Sequence, residues 1–156
     1  MRTIVAVFSI SLFMFGVSAE DSGTKKYLSC PWKIKIVRPT IEEYIETMGY
    51  WSEKYPQVFS FEKLGENTEK QPIFLAKLTD KTISDSNKYV ILVTALHSGA
   101  ERSGAAGCLN LMEWLLGGSE EAKQTLRNHI VYIMPIVNPY AFFTKERMGN
   151  SIGVDP

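Results

Sequence analysis

The feature that most constrains the fold is an apolar run, residues 89–95, that leads directly into His97 and Glu101. The run is rich in β-branched residues, which predicts a strand covered on both faces by helices. Residues 105–116 follow with apolar positions at helical spacing. The histidine and the glutamate therefore lie in a turn between a buried strand and a helix. In α/β folds this edge of the sheet is where ligands gather, so both are candidate functional residues.

The segments before this turn predict a helix and a hairpin. Thr40 can cap a helix with Glu43 completing the capping box, and Pro56 ends that helix. Its apolar residues lie at helical spacing, which we interpret as core packing: Ile41, Tyr44, Ile45, Met48 and Trp51. Two short apolar segments, 58–64 and 72–78, are joined by a polar turn and predict a β-hairpin.

The segments after the turn predict a crossover connection. Gly117 and Gly118 end the helix, Ser119 can cap a short helix through Arg127, and residues 130–137 form a second apolar strand. The order strand, helix, helix, strand implies a crossover connection and a parallel strand pair. Residues 140–156 are less regular. Together the elements predict an α/β fold on a mixed sheet.

The N-terminus and the net charge bear on localisation. Residues 1–19 have a basic start, an apolar stretch and a small-residue cleavage pattern near Ala19, which predicts a signal peptide and a secreted protein. An uncleaved membrane anchor is the alternative, although the apolar stretch is short for a span. Seventeen basic and seventeen acidic residues cancel, so the charge favours neither a nucleic-acid nor an anionic-membrane partner. We expect no stable membrane association after cleavage, an N-terminal arm over 20–39 and a domain over 40–156.

The two cysteines permit at most one disulfide within the chain. Cys30 lies in the N-terminal arm and Cys108 lies in the predicted helix among apolar neighbours. A secreted protein meets an oxidising compartment, but a buried free thiol is equally compatible with this setting. A nucleophilic role for Cys108 needs a nearby base, and its apolar surroundings argue against one.

Imidazole and carboxylate are suitable zinc ligands, so His97 and Glu101 can share one ion. A helix-capping Glu101 beside a turn histidine is the alternative interpretation. His129 begins the strand over 130–137, and if this strand is parallel to 89–95 it lies at the opposite sheet edge, about 20 Å away. We therefore interpret His129 as structural. The sequence has no G-x-S-x-G elbow, P-loop, H-E-x-x-H or C-x-x-C motif.

From about Thr40 to Pro156, the order of motifs resembles the zinc metallocarboxypeptidases of the carboxypeptidase A type. The features that carry the resemblance are KYP at 54–56, GEN at 65–67, PI at 72–73, the strand into His97 and Glu101, IMPIVNP at 133–139, RMGN at 147–150 and GVDP at 153–156.

This resemblance implies an α/β/α sandwich on a mixed sheet, of which the chain supplies the N-terminal portion. It implies hydrolysis of C-terminal peptide bonds, with peptide or protein C-termini as substrates and one Zn²⁺ as cofactor. His97 and Glu101 would be the zinc ligands, and Arg147 would stabilise the oxyanion. Asp155 would accept a hydrogen bond from the second ring nitrogen of His97.

The sequence also departs from the family pattern. The family's first motif is H-x-x-E, whereas one extra residue separates His97 from Glu101; the small residues between them can absorb it as a bulge, or Glu101 misses the metal. Lys70 and Gln71 replace the family's Gly-Arg. The family's second zinc histidine, tyrosine and general-base glutamate would follow Pro156, so the third ligand is absent.

We therefore expect the N-terminal portion of a metallocarboxypeptidase that by itself is inactive and binds zinc poorly. The first alternative is a non-catalytic relative that binds peptides or a protein partner. The second is an enzyme that hydrolyses another amide, such as an acyl-amino acid.

Overall fold

The computed structural model describes residues 41–144, 149–150 and 152–154. The helices are α1 (Ile41–Lys54), α2 (Arg102–Leu116), α3 (Glu120–Asn128) and α4 (Pro139–Thr144), and the strands are β1 (Phe59–Glu66), β2 (Pro72–Leu78), β3 (Tyr89–Thr94) and β4 (His129–Met134). A short 3₁₀ helix, Asp85–Asn87, precedes β3. The signal peptide, the N-terminal arm and the Thr40 cap lie outside the described residues.

The four strands form one mixed sheet in the order β1-β2-β4-β3. β1 and β2 make the predicted antiparallel hairpin, β2 pairs antiparallel with β4, and β4 pairs parallel with β3. The predicted crossover is confirmed, because α2 and α3 connect the two parallel strands. Tyr89 is the register partner of His129, so both parallel strands start at the same edge of the sheet.

The core lies between one face of the sheet and the helices. Register places Ala76 beside Phe61 and Ile133, and Ile133 beside Val93, so these side chains share one face. α1 and α2 contribute Tyr44, Met48, Trp51, Cys108, Leu109 and Met112 to the same core cluster. The prediction of core packing for α1 is confirmed at Tyr44, Met48 and Trp51 and is wrong at Ile45, which is 40% exposed. The side chain of Ile41 lies outside the described part of the structure.

The prediction that strand 89–95 is covered on both faces is wrong for the part of the chain that the structure describes. β3 is the last strand in the sheet order, and its residues are half-buried or exposed throughout. Leu92 shares a face with Tyr132 and remains 37% exposed. An edge strand lacks one neighbour, so side chains that are apolar enough for a central strand stay partly open to solvent.

The other differences concern element boundaries. α2 begins at Arg102, three residues before the predicted start, and α4 occupies part of a region expected to be irregular. Gly104 allows α2 to lie close to the end of β3, because a Cβ atom there would lie 3.2 Å from Cβ of Ala95. The first turn of α2 therefore packs tightly against the residue that follows β3. Ser119 caps α3 as predicted, accepting a hydrogen bond from the backbone of Ala122.

Among the described residues, no helix is long and apolar enough to cross a membrane.

Candidate active site

The turn that follows β3 is fastened to the residues that follow β4. Ala95 donates to the carbonyl of Met134, Val137 donates to the carbonyl of Ala95, and Asn138 donates to the carbonyl of Leu96. Backbone pairing thus continues past the last ladder residues and places His97 at the carboxyl edge of the parallel pair. His129 lies at the opposite edge, as predicted, and its Nδ1–H donates to the carbonyl of Thr125 at 3.0 Å.

Leu96 turns the chain immediately before the histidine. Its φ of 54° is in the left-handed region, which a residue with a Cβ rarely adopts, and its side chain is fully buried. Burial of the leucine offsets the strain of the backbone and leaves the next side chain, His97, exposed. The strained turn therefore points the histidine out of the core at the sheet edge.

The residue that lengthens the His-to-Glu spacing is accommodated in a hydrogen-bonded turn. The backbone N–H of Glu101 donates to the carbonyl of Ser98 at 3.0 Å, which closes the turn over residues 98–101. Oε2 of Glu101 then accepts hydrogen bonds from the backbone N–H groups of His97 at 3.2 Å and Ser98 at 3.3 Å. The turn thus brings the carboxylate back to the backbone of the histidine despite the longer spacing.

The alternative in which Glu101 caps the following helix is wrong. Glu101 occupies the N-cap position of α2, but its side chain makes no capping hydrogen bond. Its carboxylate instead binds the preceding turn, on the side where His97 lies. A carboxylate has two oxygens, and the two backbone N–H groups engage only Oε2, so Oε1 remains as a donor atom for a ligand.

The ring of His97 contacts the last residue of β3. Its Nε2 lies 3.1 Å from Oγ1 of Thr94, a hydrogen-bond distance. Thr94 is the polar residue within the apolar run, and its register partner is Met134. Sequence reasoning assigned Thr94 no role. Its polarity at the end of an apolar strand was the available signal.

Asn138 connects three segments around the histidine. Its Nδ2 donates to the carbonyls of His97 at 3.1 Å and Gly149 at 2.9 Å, and its Oδ1 accepts from the backbone of Ala141 at 3.2 Å. The side chain is 5% exposed, so these hydrogen bonds are shielded from water. The sequence indicated a turn at Asn138 and Pro139, but did not indicate that the turn supports the histidine.

Arg102 is the buried charge beside the turn. The residue is 8% exposed, and its Nε donates to the carbonyl of Gly99 at 2.8 Å. Within the described part of the chain, Nη1 is buried without a hydrogen-bond partner. The guanidinium therefore stabilises the turn through Nε, but the free-energy cost of removing Nη1 from water is not offset by a hydrogen bond.

A cleft of about 260 Å³ lies at the same edge of the sheet, on the side of β2. Its walls are the turn between β1 and β2, the loop and helix that follow β4, and residues Asn150 and Ile152. Asn138 lines this cleft and also binds the carbonyl of His97, so one side chain joins the cleft to the turn.

The structure describes only one of the remaining candidate residues, Cys108. Cys108 is a buried free thiol in α2, and burial raises its pKa to about 12, which leaves it protonated and unreactive. Cys30, the other half of the one disulfide that the chain could form, lies outside the described residues. So do Arg147 and Asp155, and their proposed roles stay predictions.

The residues around the site match a known family. The family model described as zinc carboxypeptidase matches residues 42–150, more than two-thirds of the chain. The chain belongs to the zinc carboxypeptidase family. The match includes the turn with His97 and Glu101, the Asn138 loop and Gly149.

Solved carboxypeptidase structures have the same fold. A metallo-carboxypeptidase from Burkholderia cenocepacia superposes with a TM-score of 0.67 at 21% identity, over 76% of this chain and 32% of that chain. Carboxypeptidase A from Helicoverpa armigera gives a TM-score of 0.63 at 18% identity, over 69% and 26%. Thrombin activatable fibrinolysis inhibitor gives 0.61 at 21% identity, over 67% and 26%. The chain thus spans a third or less of the length of these structures.

The residues present fit part of a zinc site. Imidazole and carboxylate have the donor chemistry that zinc prefers, and a catalytic zinc takes three protein ligands. His97 and Glu101 supply two such groups in one turn, with Nε2 engaged by Thr94 and Oε2 engaged by backbone N–H groups. No group of three or more His, Cys, Asp or Glu side chains that could hold an ion occurs within the described ranges.

Proposed function

We propose that this chain carries the first two zinc ligands, His97 and Glu101, of a secreted metallocarboxypeptidase that releases C-terminal residues from peptides. The observation that carries the proposal is the turn itself: in a zinc carboxypeptidase family member, the carboxylate of Glu101 is folded back onto the backbone of His97. The extra residue between them therefore does not carry the carboxylate away from the backbone of His97.

The described residues prepare the site by fixing the two donors. Glu101 Oε2 is held by two N–H groups, which leaves Oε1 for the ion. Thr94 contacts Nε2 of His97, which leaves Nδ1 for the ion. Zinc, when bound, polarises a scissile carbonyl and activates water. Arg147 is proposed to stabilise the oxyanion, as a fixed cation does best in a site that excludes water.

The substrates are proposed from family membership together with the cleft. The cleft is open to solvent and is lined by Asn138, whose side chain binds the carbonyl of His97, so it is the candidate site for residues of an extended peptide. Peptide and protein C-termini are therefore the proposed partners. Secretion rests on the signal-peptide pattern over residues 1–19, and predicts that the secreted protein begins at Glu20.

The function is tested on the natural product and on the 156-residue chain expressed by itself. An antibody against the described domain isolates the natural product, whose N-terminus, mass and zinc content are measured. Release of C-terminal residues from peptides is compared with hydrolysis of acyl-amino acids, with and without a zinc chelator. We expect the natural product to release C-terminal residues from peptides in a reaction that the chelator inhibits. We expect the 156-residue chain by itself to bind zinc weakly and to show no activity.

The matched variants are His97→Ala and His129→Ala, made in the natural product, and they replace the two histidines of the 156-residue sequence one at a time. His97→Ala is expected to abolish activity and lower zinc content, whereas His129→Ala retains both because it lies at the opposite edge. A folded natural product that binds peptides but hydrolyses neither substrate class would support the non-catalytic alternative. Hydrolysis of acyl-amino acids but not of peptides would support the alternative of an enzyme that acts on another amide.

A further inference from the structure

The backbone of His97 is held at both of its polar groups. Its N–H donates to Oε2 of Glu101 at 3.2 Å, and its carbonyl accepts from Nδ2 of Asn138 at 3.1 Å. The preceding residue, Leu96, is fully buried. With the backbone fixed on both sides, the only freedom left to the histidine is rotation of its side chain about χ1 and χ2.

The hydroxyl of Thr94 removes that freedom. Its Oγ1 lies 3.1 Å from Nε2 of His97, and Thr94 itself is held in the last ladder position of β3. Threonine is stiff at χ1, so its hydroxyl is a fixed point for the ring. The two nitrogens of an imidazole point in different directions, and a contact at Nε2 therefore determines where Nδ1 points.

We propose that Thr94 is a positioning residue that holds Nε2 of His97 so that Nδ1 is presented to the metal. The inference rests on the proposed function, in which His97 is a zinc ligand. When zinc takes the lone pair of Nδ1, the proton resides on Nε2, and Nε2–H donates to Oγ1 of Thr94. A hydroxyl accepts this hydrogen bond without adding charge to the site.

Thr94 takes the role at Nε2 for which the sequence suggested Asp155. A partner on the second ring nitrogen fixes the ring orientation and strengthens the metal bond, and its loss lowers metal affinity by about 10- to 100-fold. Thr94 lies on the same strand that leads into His97, three residues earlier, so the contact is built into the β3 turn. Asp155 lies outside the described residues and is therefore the natural competitor in the test.

The test uses nitrogen-15 labelling of the histidine side chains in the metal-free protein, followed by titration with Zn²⁺. The protein has two histidines, and His129 is an internal reference because its Nδ1–H donates to the carbonyl of Thr125. On adding zinc, the Nδ1 resonance of His97 should move to the metal-bound position while Nε2 stays protonated. The His129 resonances should not change.

Three variants separate Thr94 from its competitor. Thr94→Val keeps the shape and strand preference of the residue but removes the hydroxyl, and should weaken zinc binding about 10- to 100-fold. Thr94→Ser restores the hydroxyl and should bind zinc within about threefold of the unmodified protein. Asp155→Asn should leave the Nε2 resonance of His97 unchanged in the metal-free protein, whereas Thr94→Val should shift it.

The outcomes distinguish this inference from the proposed function. Zinc bound through Nδ1 with equal affinity in Thr94→Val, or zinc bound through Nε2, overturns the role of Thr94 and leaves the zinc site intact. No response of His97 at any zinc concentration overturns the zinc assignment itself. A response of the metal-free His97 ring to Asp155→Asn but not to Thr94→Val assigns the role to Asp155.

Discussion

The side-chain amide of Asn138 donates a hydrogen bond of 3.1 Å to the backbone carbonyl of His97, a residue 41 positions earlier in the chain. The same nitrogen donates to Gly149, and the amide oxygen accepts from Ala141 at the first turn of α4. One buried side chain therefore holds together the turn after β3, the start of α4 and the loop at Gly149. Loss of this amide should loosen all three.

Asn138→Ala should lower the free energy of unfolding by about 2–4 kcal/mol, because two carbonyls and one N–H lose their partner in a site shielded from water. This loss is measured by urea unfolding, monitored through the fluorescence of the three tryptophans. Asn138→Asp keeps the acceptor for Ala141 but removes both donors, so it should also be destabilised. Asn110→Ala, an exposed asparagine on α2, should change stability by less than about 0.5 kcal/mol. Equal effects of Asn138→Ala and Asn110→Ala would contradict the role of the amide.

Lys88 is buried, with 2% of its side chain exposed, and its ammonium has three acceptors. It donates to Oγ1 of Thr79 at 2.8 Å, to the carbonyl of Asp80 and to Oδ1 of Asp85 at 3.2 Å. These contacts close the loop between β2 and β3 and set the start of the strand that leads to His97.

Lys88→Met should lower the free energy of unfolding by about 2–3 kcal/mol, since it leaves buried acceptors without a donor. The control is Lys123→Met, which removes a lysine from a pair of the same spacing with Glu120 that is exposed on both sides. The control should show no measurable change in chemical unfolding, because exposed ion pairs contribute little. A stability loss of the same size in both variants would show that burial of Lys88 is not the cause.

The fold was largely predictable because its signals are local. The apolar alternation of the hairpin, the Ser119 cap and the β-α-α-β order depend on short stretches of sequence, and the structure contains all of them. The exposure of Leu92 was not predictable, because an edge strand and a central strand can have the same apolar sequence pattern. α4 was missed because its six residues are too few to show a helical period.

The site was only partly predictable, because its supporting contacts depend on tertiary geometry. His97 and Glu101 could be chosen from their place after an apolar strand. The contact of Thr94 with His97 depends on the left-handed backbone of Leu96, and the contact of Asn138 depends on the parallel pairing of β3 and β4. Neither leaves a pattern in sequence spacing.

Cys108 should make stability depend on pH in the alkaline range. Burial raises its pKa from 9.0 to about 12, so above pH 9 the unfolded chain loses the thiol proton while the folded chain keeps it. The unfolded state then binds fewer protons, and stability falls as pH rises, by up to about 1.4 kcal/mol per pH unit from this group. Below pH 9 the thiol is protonated in both states and contributes no pH dependence.

Comparison with Cys108→Ala isolates this effect, because all other titrating groups are common to both proteins. The difference in unfolding free energy between the two proteins should decrease by about 1 kcal/mol between pH 9.5 and 10.5. The difference should be constant between pH 6 and 8, because the thiol is protonated in both states there and the variant loses only the packing contacts of the side chain. A constant difference up to pH 10.5 would mean that the thiol ionises as easily in the folded protein as in the unfolded chain.

Glu101 combines two roles that substitution can separate. Its Oε2 accepts from the backbone N–H groups of His97 and Ser98, and its carboxylate is a proposed zinc ligand. Glu101→Gln keeps a carbonyl oxygen for both N–H groups but loses the charge that zinc prefers. It should therefore unfold at the same urea concentration as the unmodified protein and bind zinc at least about 10-fold more weakly.

Glu101→Ala loses both roles, and its unfolding midpoint and its zinc affinity should both fall. Glu121→Gln, at an exposed position in the first turn of α3, is the control for the charge and should match the unmodified protein in zinc affinity. If Glu101→Gln binds zinc as tightly as the unmodified protein, the carboxylate serves only the turn. The extra residue would then have removed Glu101 from the metal, because a ligand that contacts the ion cannot lose its charge without weakening the bond.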